Sequence, residues 1–122
     1  MEIIDPGHRY KLNVLDEIDY FVELVFVKRE GKKYPGNIGH YPGTNLQEVI
    51  RACIDRLKYL DNQIYDRRNE MCITLLKTCL FMLEQRASER HNRILVVSLG
   101  EIESYPTCDK CGHIGCNGEC HA

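Results

Sequence analysis

The chain has no tryptophan and only three phenylalanines, so most of its aromatic surface comes from seven tyrosines. It also has no apolar run near the roughly 18 residues that a membrane-spanning helix needs, which excludes an integral membrane protein. A large excess of charge is missing too. The net charge is −2 and the pI about 6.2, which argues against a general binder of polyanions. Met1 to Asp5 has neither a basic segment nor an apolar segment of the secretory kind, so a cytosolic protein is expected. No G-x-S-x-G, H-E-x-x-H or G-x-x-x-x-G-K-[ST] pattern occurs, carboxylates are not clearly paired, and the histidines are scattered. An enzyme is therefore not expected.

What is present suits one small folded domain. Apolar residues are 43 % of the 122 residues and charged residues 28 %, enough to build a core and a solvated surface. After the Asp5-Pro6-Gly7 turn, Tyr10, Leu12 and Val14 alternate with polar residues, the mark of a half-buried strand. Phe21 to Val27 is rich in β-branched and aromatic residues and reads as its hairpin partner. From Leu46 to Ile64, apolar residues recur at helical spacing (Leu46, Val49, Ile50, Cys53, Ile54, Leu57, Leu60, Ile64). Thr44 and Gln47 have capping-box spacing, Asp61-Asn62 frays the helix end, and Asp66 caps a second helix to about Arg90. Ile94 to Leu99 reads as a third strand. The expected fold is α+β: a small antiparallel sheet packed on an antiparallel two-helix hairpin, covering residues 1–105, with a cysteine-rich tail over 106–122.

Several segments carry chemistry. The loop from Glu30 to Gly43 holds four glycines and two prolines, repeats Tyr-Pro-Gly, and leads into a capped helix. Glycine permits close backbone approach and a helix N-terminus favours anions, so a phosphate cradle is one reading and an ordinary loop the other. Arg86, Arg90, His91 and Arg93 gather at the end of the second helix. They complement its dipole, or they serve a phosphate or carboxylate, since Arg86 and Arg90 fall on the apolar side of the wheel. That wheel carries a wide apolar arc (Cys72, Leu75, Leu76, Cys79, Leu80, Met82, Leu83), broader than one helix partner and a small sheet need. A symmetric homo-oligomer would cover the excess. Phe81 is a large aromatic among polar residues, and Asn92 would lie about 20° from it on a continued helix. Arg51 and Asp55 read as an exposed pair, Asp55 and Glu84 as solvated, and Cys53, Cys72 and Cys79 as small buried hydrophobes.

Four cysteines crowd the tail. Cys108, Cys111, Cys116 and Cys120 have C-x2-C-x4-C-x3-C spacing, and Gly112 follows the first pair as in a metal knuckle. One structural zinc held by four thiolates is expected, with His113 or His121 able to replace a cysteine; free or oxidised thiols are the other reading. A zinc-knuckle adaptor or nucleic-acid module would explain this tail but not the long patterned helices.

The stretch Val27-Lys28-Arg29-Glu30-Gly31, Tyr34-Pro35-Gly36-Asn37, Gly43-Thr44-Asn45-Leu46-Gln47-Glu48-Val49 and Asp55 to Ile64, with Asp5 to Tyr10 before it and Leu83 to Ala87 after it, resembles the first type of Thoeris anti-defence protein encoded by phages and prophages. The resemblance covers residues 5–93 and leaves out the tail. It implies a sponge in the bacterial host cytosol, which binds a cyclic ADP-ribose isomer made by an immune TIR enzyme and holds it uncleaved. It also implies homodimers or higher homo-oligomers with pockets between subunits, some of which bind cyclic di- or trinucleotides. The ligand residues expected on this basis are Phe81 and Asn92, then Arg86, Arg90 and Arg93, then Tyr34, Asn37, His40, Thr44 and Asn45 of the loop.

The zinc expectation is tested by elemental analysis of the protein purified under reducing conditions. About one zinc per chain is expected, and Cys111→Ser should lose it. A metal-free parent with an ordered tail would contradict it.

Overall fold

The computed structural model describes residues 1–91 in full and the backbone of 93–98 and 101–106. Its elements are β1 (Glu2–Asp5), β2 (Arg9–Asn13), β3 (Phe21–Val25), α1 (Leu46–Gln63), α2 (Arg67–His91), β4 (Arg93–Ser98) and β5 (Glu101–Pro106). The fold class is α+β, as expected. The chain divides into two compact units, one ending at Val49 and one beginning at Ile50. No helix among the described residues is long and apolar enough to cross a membrane.

In the first unit, β1, β2 and β3 form an antiparallel sheet in that order. Strand β1 was not foreseen from the sequence: four residues, exposed at the first three positions, carry no alternating signal. Pro6 and Gly7 make the turn into β2, with the His8 amide bonding the Asp5 carbonyl at 2.9 Å. Pairing of β2 with β3 places Tyr10 opposite Leu24 and Lys11 opposite Glu23. One face therefore carries Arg9, Lys11, Phe21 and Glu23. There Arg9 donates to Glu23, and the Lys11 ammonium lies 4.6 Å from the Phe21 ring centre. On the other face Tyr10 meets Phe26 edge-on, with centroids 6.0 Å apart.

Strand β3 ends at Val25, two residues before the expected end, because the chain exchanges its partner. Phe26 and Lys28 leave β2 and form single bridges to Thr44 and Tyr41 of the returning loop. The two Tyr-Pro-Gly tripeptides serve different ends. Tyr34-Pro35-Gly36 makes a turn closed by the Asn37 amide on the Tyr34 carbonyl, and Gly36 supplies a φ of 88°. Gly43 lies against the backbone instead, where a Cβ would meet the Phe26 carbonyl carbon at 2.5 Å and the Val27 nitrogen at 2.6 Å.

The second unit is built on the pairing of α1 with α2. Ile50 and Ile54 pack on Leu80, which is 3 % exposed, with Ile73, Leu76 and Leu83 around them. Residues early in α1 thus meet residues late in α2, so the two helices are antiparallel. Asp61 does not fray the turn between them. Its Oδ1 accepts from the Asp66 amide at 3.0 Å and from Asn69 Nδ2 at 3.3 Å. Asp66 caps α2 as expected, accepting from the Arg68 amide at 2.8 Å, and its pairing with Arg68 pulls its pKa down to about 2. Strands β4 and β5 form an antiparallel hairpin after α2. The expected third strand corresponds to β4, whereas β5 was missed: Glu101 to Pro106 mixes polar and apolar residues without a clear period.

Several expectations need correction. Glu84 is not solvated: it is 4 % exposed, and its Oε1 accepts from Arg51 at 2.9 Å across the helix pair. Arg51, expected as half of an exposed pair with Asp55, is half-buried and reaches across to α2. Cys53, Cys72 and Cys79 are exposed, as are Leu75 (68 %) and Met82 (64 %). The buried stripe of α2 runs through Ile73, Leu76, Leu80, Leu83, Glu84 and Ser88, rotated from the arc that hydrophobicity alone suggests. Glu84, paired with Arg51, and Ser88 occupy positions that the wheel assigned to water.

The close approach at Gly43 gives a stability prediction. Gly43→Ala sets a methyl group against backbone that cannot swing aside. It should cost about 1–3 kcal/mol in urea unfolding, as overpacking does. An unchanged midpoint would show that the loop does not hold this approach in solution.

Candidate functional site

The chemistry of the first unit centres on Asp5, at the end of β1. Its Oδ2 accepts from the Lys28 ammonium at 2.8 Å and from the Tyr41 hydroxyl at 2.5 Å. These bonds tie the sheet to both sides of the loop. Lys28, then Tyr41, hold the Asp5 carboxyl below the usual carboxylate range. Loss of solvent, and then the bond to Asp5, pushes the Tyr41 phenol up to about 12. His8 meets Tyr41 edge-on, with centroids 6.3 Å apart, and its Nε2 lies 3.4 Å from the Asn37 amide oxygen. Asn37 in turn donates to the Arg29 carbonyl at 2.9 Å.

Beside this cluster is a cleft of about 700 Å³. Its apolar lining comes from Val27, Pro42 and the rings of Tyr34 and Tyr41. Lys28, Arg29 and Glu30 bring charge to it, and His40 bonds Glu30 at 3.2 Å. That bond holds the Glu30 carboxyl below its ordinary range, helped by the Gly39 amide.

The loop residues expected to bind ligand thus divide. Tyr34 and His40 line the cleft. Asn37 is used in holding the loop to His8 and Arg29. The Thr44 amide bonds the Val25 carbonyl at 2.9 Å, and its carbonyl accepts from Val27 at 2.9 Å. Asn45, rather than Thr44, caps α1, its Oδ1 accepting from the Glu48 amide at 2.8 Å. The reason is local: the bridge to Phe26 keeps Thr44 extended, one residue before the helix can begin. That cap occupies an amide that a phosphate cradle would use.

The remaining expected residues lie in the second unit. Phe81 is 37 % exposed and borders the buried, hydrogen-bonded Glu84 and Ser88. Arg86 and Arg90 are exposed, which corrects the expectation that they point into the buried side. At 100° per residue they lie about 140° and 180° around α2 from Phe81, so ring and guanidiniums face nearly opposite ways. Arg93 begins β4, where only the backbone is described. Asn92 and the tail cysteines Cys108, Cys111, Cys116 and Cys120 lie outside the described residues, and so does the expected zinc site. Among the described residues, no three His, Cys, Asp or Glu side chains are grouped to hold a metal ion. Only a turn motif and a loop mark the Asp5, Lys28 and Tyr41 cluster in the sequence.

No family model, curated protein or solved structure matches the chain.

The Asp5–Tyr41 bond makes a prediction about pH. Tyr41 titrates higher in the fold than its ordinary value of 10.0, so the fold favours the protonated phenol. Its contribution is complete below pH 10 and is lost as pH rises towards 12. Subtracting the phenolate absorbance titration of Tyr41→Phe from that of the parent should leave one group ionising near 12. A difference centred at 10 would contradict the bond.

Proposed function

We propose that the protein is a sponge that binds and sequesters, without cleaving, a cyclic ADP-ribose-type signalling nucleotide, and so blocks Thoeris defence in the bacterial host cytosol. The observation that carries this reading is the arrangement of α2, together with the family resemblance of the sequence. A partly exposed Phe81 ring offers its face to a base on one side of the helix. The exposed guanidiniums of Arg86 and Arg90 offer charge-assisted donors on the other. One small ligand cannot reach both from a single α2.

The site is therefore shared between copies. Phe81 and Asn92 of one copy receive the adenine, and Arg86, Arg90 and Arg93 of a second copy receive the pyrophosphate. The uncovered apolar side chains of α2, Met71, Cys72, Leu75, Cys79 and Met82, provide surface for such pairing. Cyclic di- or trinucleotides would find the same kind of donors at interfaces of a higher homo-oligomer. Release of ligand unchanged follows from a site made of a ring, an amide and guanidiniums, with no nucleophile among the residues assigned to it.

A stoichiometric sponge needs tight binding, so nanomolar affinity is expected, roughly −12 kcal/mol. The protein is incubated with cyclic ADP-ribose isomers, denatured, and the supernatant assayed. Intact ligand is expected; a product would identify an enzyme, and no uptake would favour the zinc-knuckle adaptor. Phe81→Ala and Asn92→Ala should each weaken binding about tenfold to a hundredfold, the value of a lost stacking contact. Equal binding by both variants would remove this site. Light scattering should give at least a dimer, and a monomer at micromolar concentration would contradict the shared site.

A further inference from the structure

The connection between β2 and β3, residues 14–20, forms neither strand nor helix and carries no lysine or arginine. It does carry Asp16, Glu17 and Asp19, with three large side chains held out in water among them. Ile18 is 100 % exposed, Leu15 85 % and Tyr20 68 %. Large apolar groups crowded at one exposed tip mark a place where another protein makes contact.

Tyr20 differs from the other described tyrosines in what its hydroxyl does. Tyr41 donates to Asp5 and Tyr65 to Glu70, and the Tyr59 oxygen accepts from Gln63 within α1. Tyr10 and Tyr34 are half-buried. Tyr20 is exposed, lies outside helix and strand, and its hydroxyl has no partner among the described residues. It is the phenol that a second protein can take up without breaking a bond or unwinding a helix. Its neighbours indicate which kind of protein. Asp19 directly precedes it, and Glu17 and Asp16 stand three and four positions before it. A partner that reads this segment presents cations to the carboxylates and an open pocket to the ring. A kinase meets both needs, because its substrate groove selects by charge pattern.

We propose that Tyr20 is a phosphorylation site for a protein tyrosine kinase that recognises acidic residues before its target. The Tyr20 Oη forms a bond to the γ-phosphorus of magnesium-bound ATP. The bond from that phosphorus to the β–γ bridging oxygen breaks, and ADP leaves with the electron pair. The phenol proton passes to the catalytic aspartate of the kinase. The product adds roughly −1.5 to −2 of charge beside the three carboxylates. The site lies in the first unit and does not rest on the ligand reading of α2.

The test incubates the folded full chain with magnesium-ATP and a tyrosine kinase of acidic preference, and follows each tyrosine by mass spectrometry. Tyr20 should gain phosphate at least about tenfold faster than Tyr59 or Tyr65, and Tyr20→Phe should gain none in that peptide. The combined change Asp16→Asn, Glu17→Gln and Asp19→Asn removes the charge while keeping the shapes. It should slow modification of Tyr20 about tenfold or more, the loss expected when charge-assisted contacts go. Circular dichroism matching the parent shows that this variant folds. Phe81→Ala should be modified as fast as the parent. Three results would overturn the proposal: no phosphate on Tyr20, equal rates at Tyr59 or Tyr65, or a folded uncharged variant modified as fast as the parent.

Discussion

One carboxylate, that of Asp5, organises the first unit. It accepts a hydrogen bond from Lys28 on the outgoing arm of the loop and another from Tyr41 on the returning arm. A segment with four glycines has little intrinsic order and a large conformational entropy to lose. Two charge-assisted bonds to one sheet residue offset part of that loss, and the bridges at Phe26 and Lys28 add to them. The position of Thr44, the start of α1 at Leu46 and the shape of the cleft all follow from where this loop is pinned. Because the fold favours the charged form of Asp5, its contribution is present above the ordinary carboxylate value of 3.8 and is lost as pH falls below it.

The second unit depends on a different compromise. Arg51 and Glu84 form an ion pair with the carboxylate nearly buried. Such a pair adds little net stability, but removing one partner is costly, so it fixes which faces of α1 and α2 meet. With Glu84 and Ser88 turned inward, Leu75, Cys79 and Met82 are left outward. An apolar surface of that kind is a cost to a monomer and an asset to an oligomer. Helix periodicity alone puts Arg86 and Arg90 about 140° and 180° around α2 from Phe81, which is why the proposed ligand site spans two copies.

Much of the fold was legible in the sequence because helices announce themselves over many residues. Helix α1, the Asp66 cap and the β2–β3 hairpin all depend on local pattern and all are present, but Leu46, Cys53 and Ile64 of the expected α1 stripe are exposed. What failed was set by partners far along the chain. Thr44 looks like a cap until Phe26 claims its backbone, and Asn45 takes the role. Glu84 looks solvated until Arg51 arrives from α1. Cys72 and Cys79 look buried because a small thiol is usually inside, yet the inward turn of Glu84 leaves them exposed. Strand β1 was missed since four largely exposed residues gain their strand form only by pairing with β2. For the site, composition singled out the loop and the arginines, but not the Asp5 cluster, whose three members are 13 to 36 residues apart.

The central claim is that ligand binding takes a ring from one copy and guanidiniums from another. It is tested most directly by mixing two variants that each lack one half, Phe81→Ala and the double change Arg86→Ala with Arg90→Ala. Each alone should bind the cyclic ADP-ribose-type nucleotide at least about tenfold more weakly than the parent. Unfolded together and refolded, they should form mixed dimers, each with one site whose ring and guanidiniums are both intact, and binding should return. A mixture that binds no better than its components would contradict a site shared between copies.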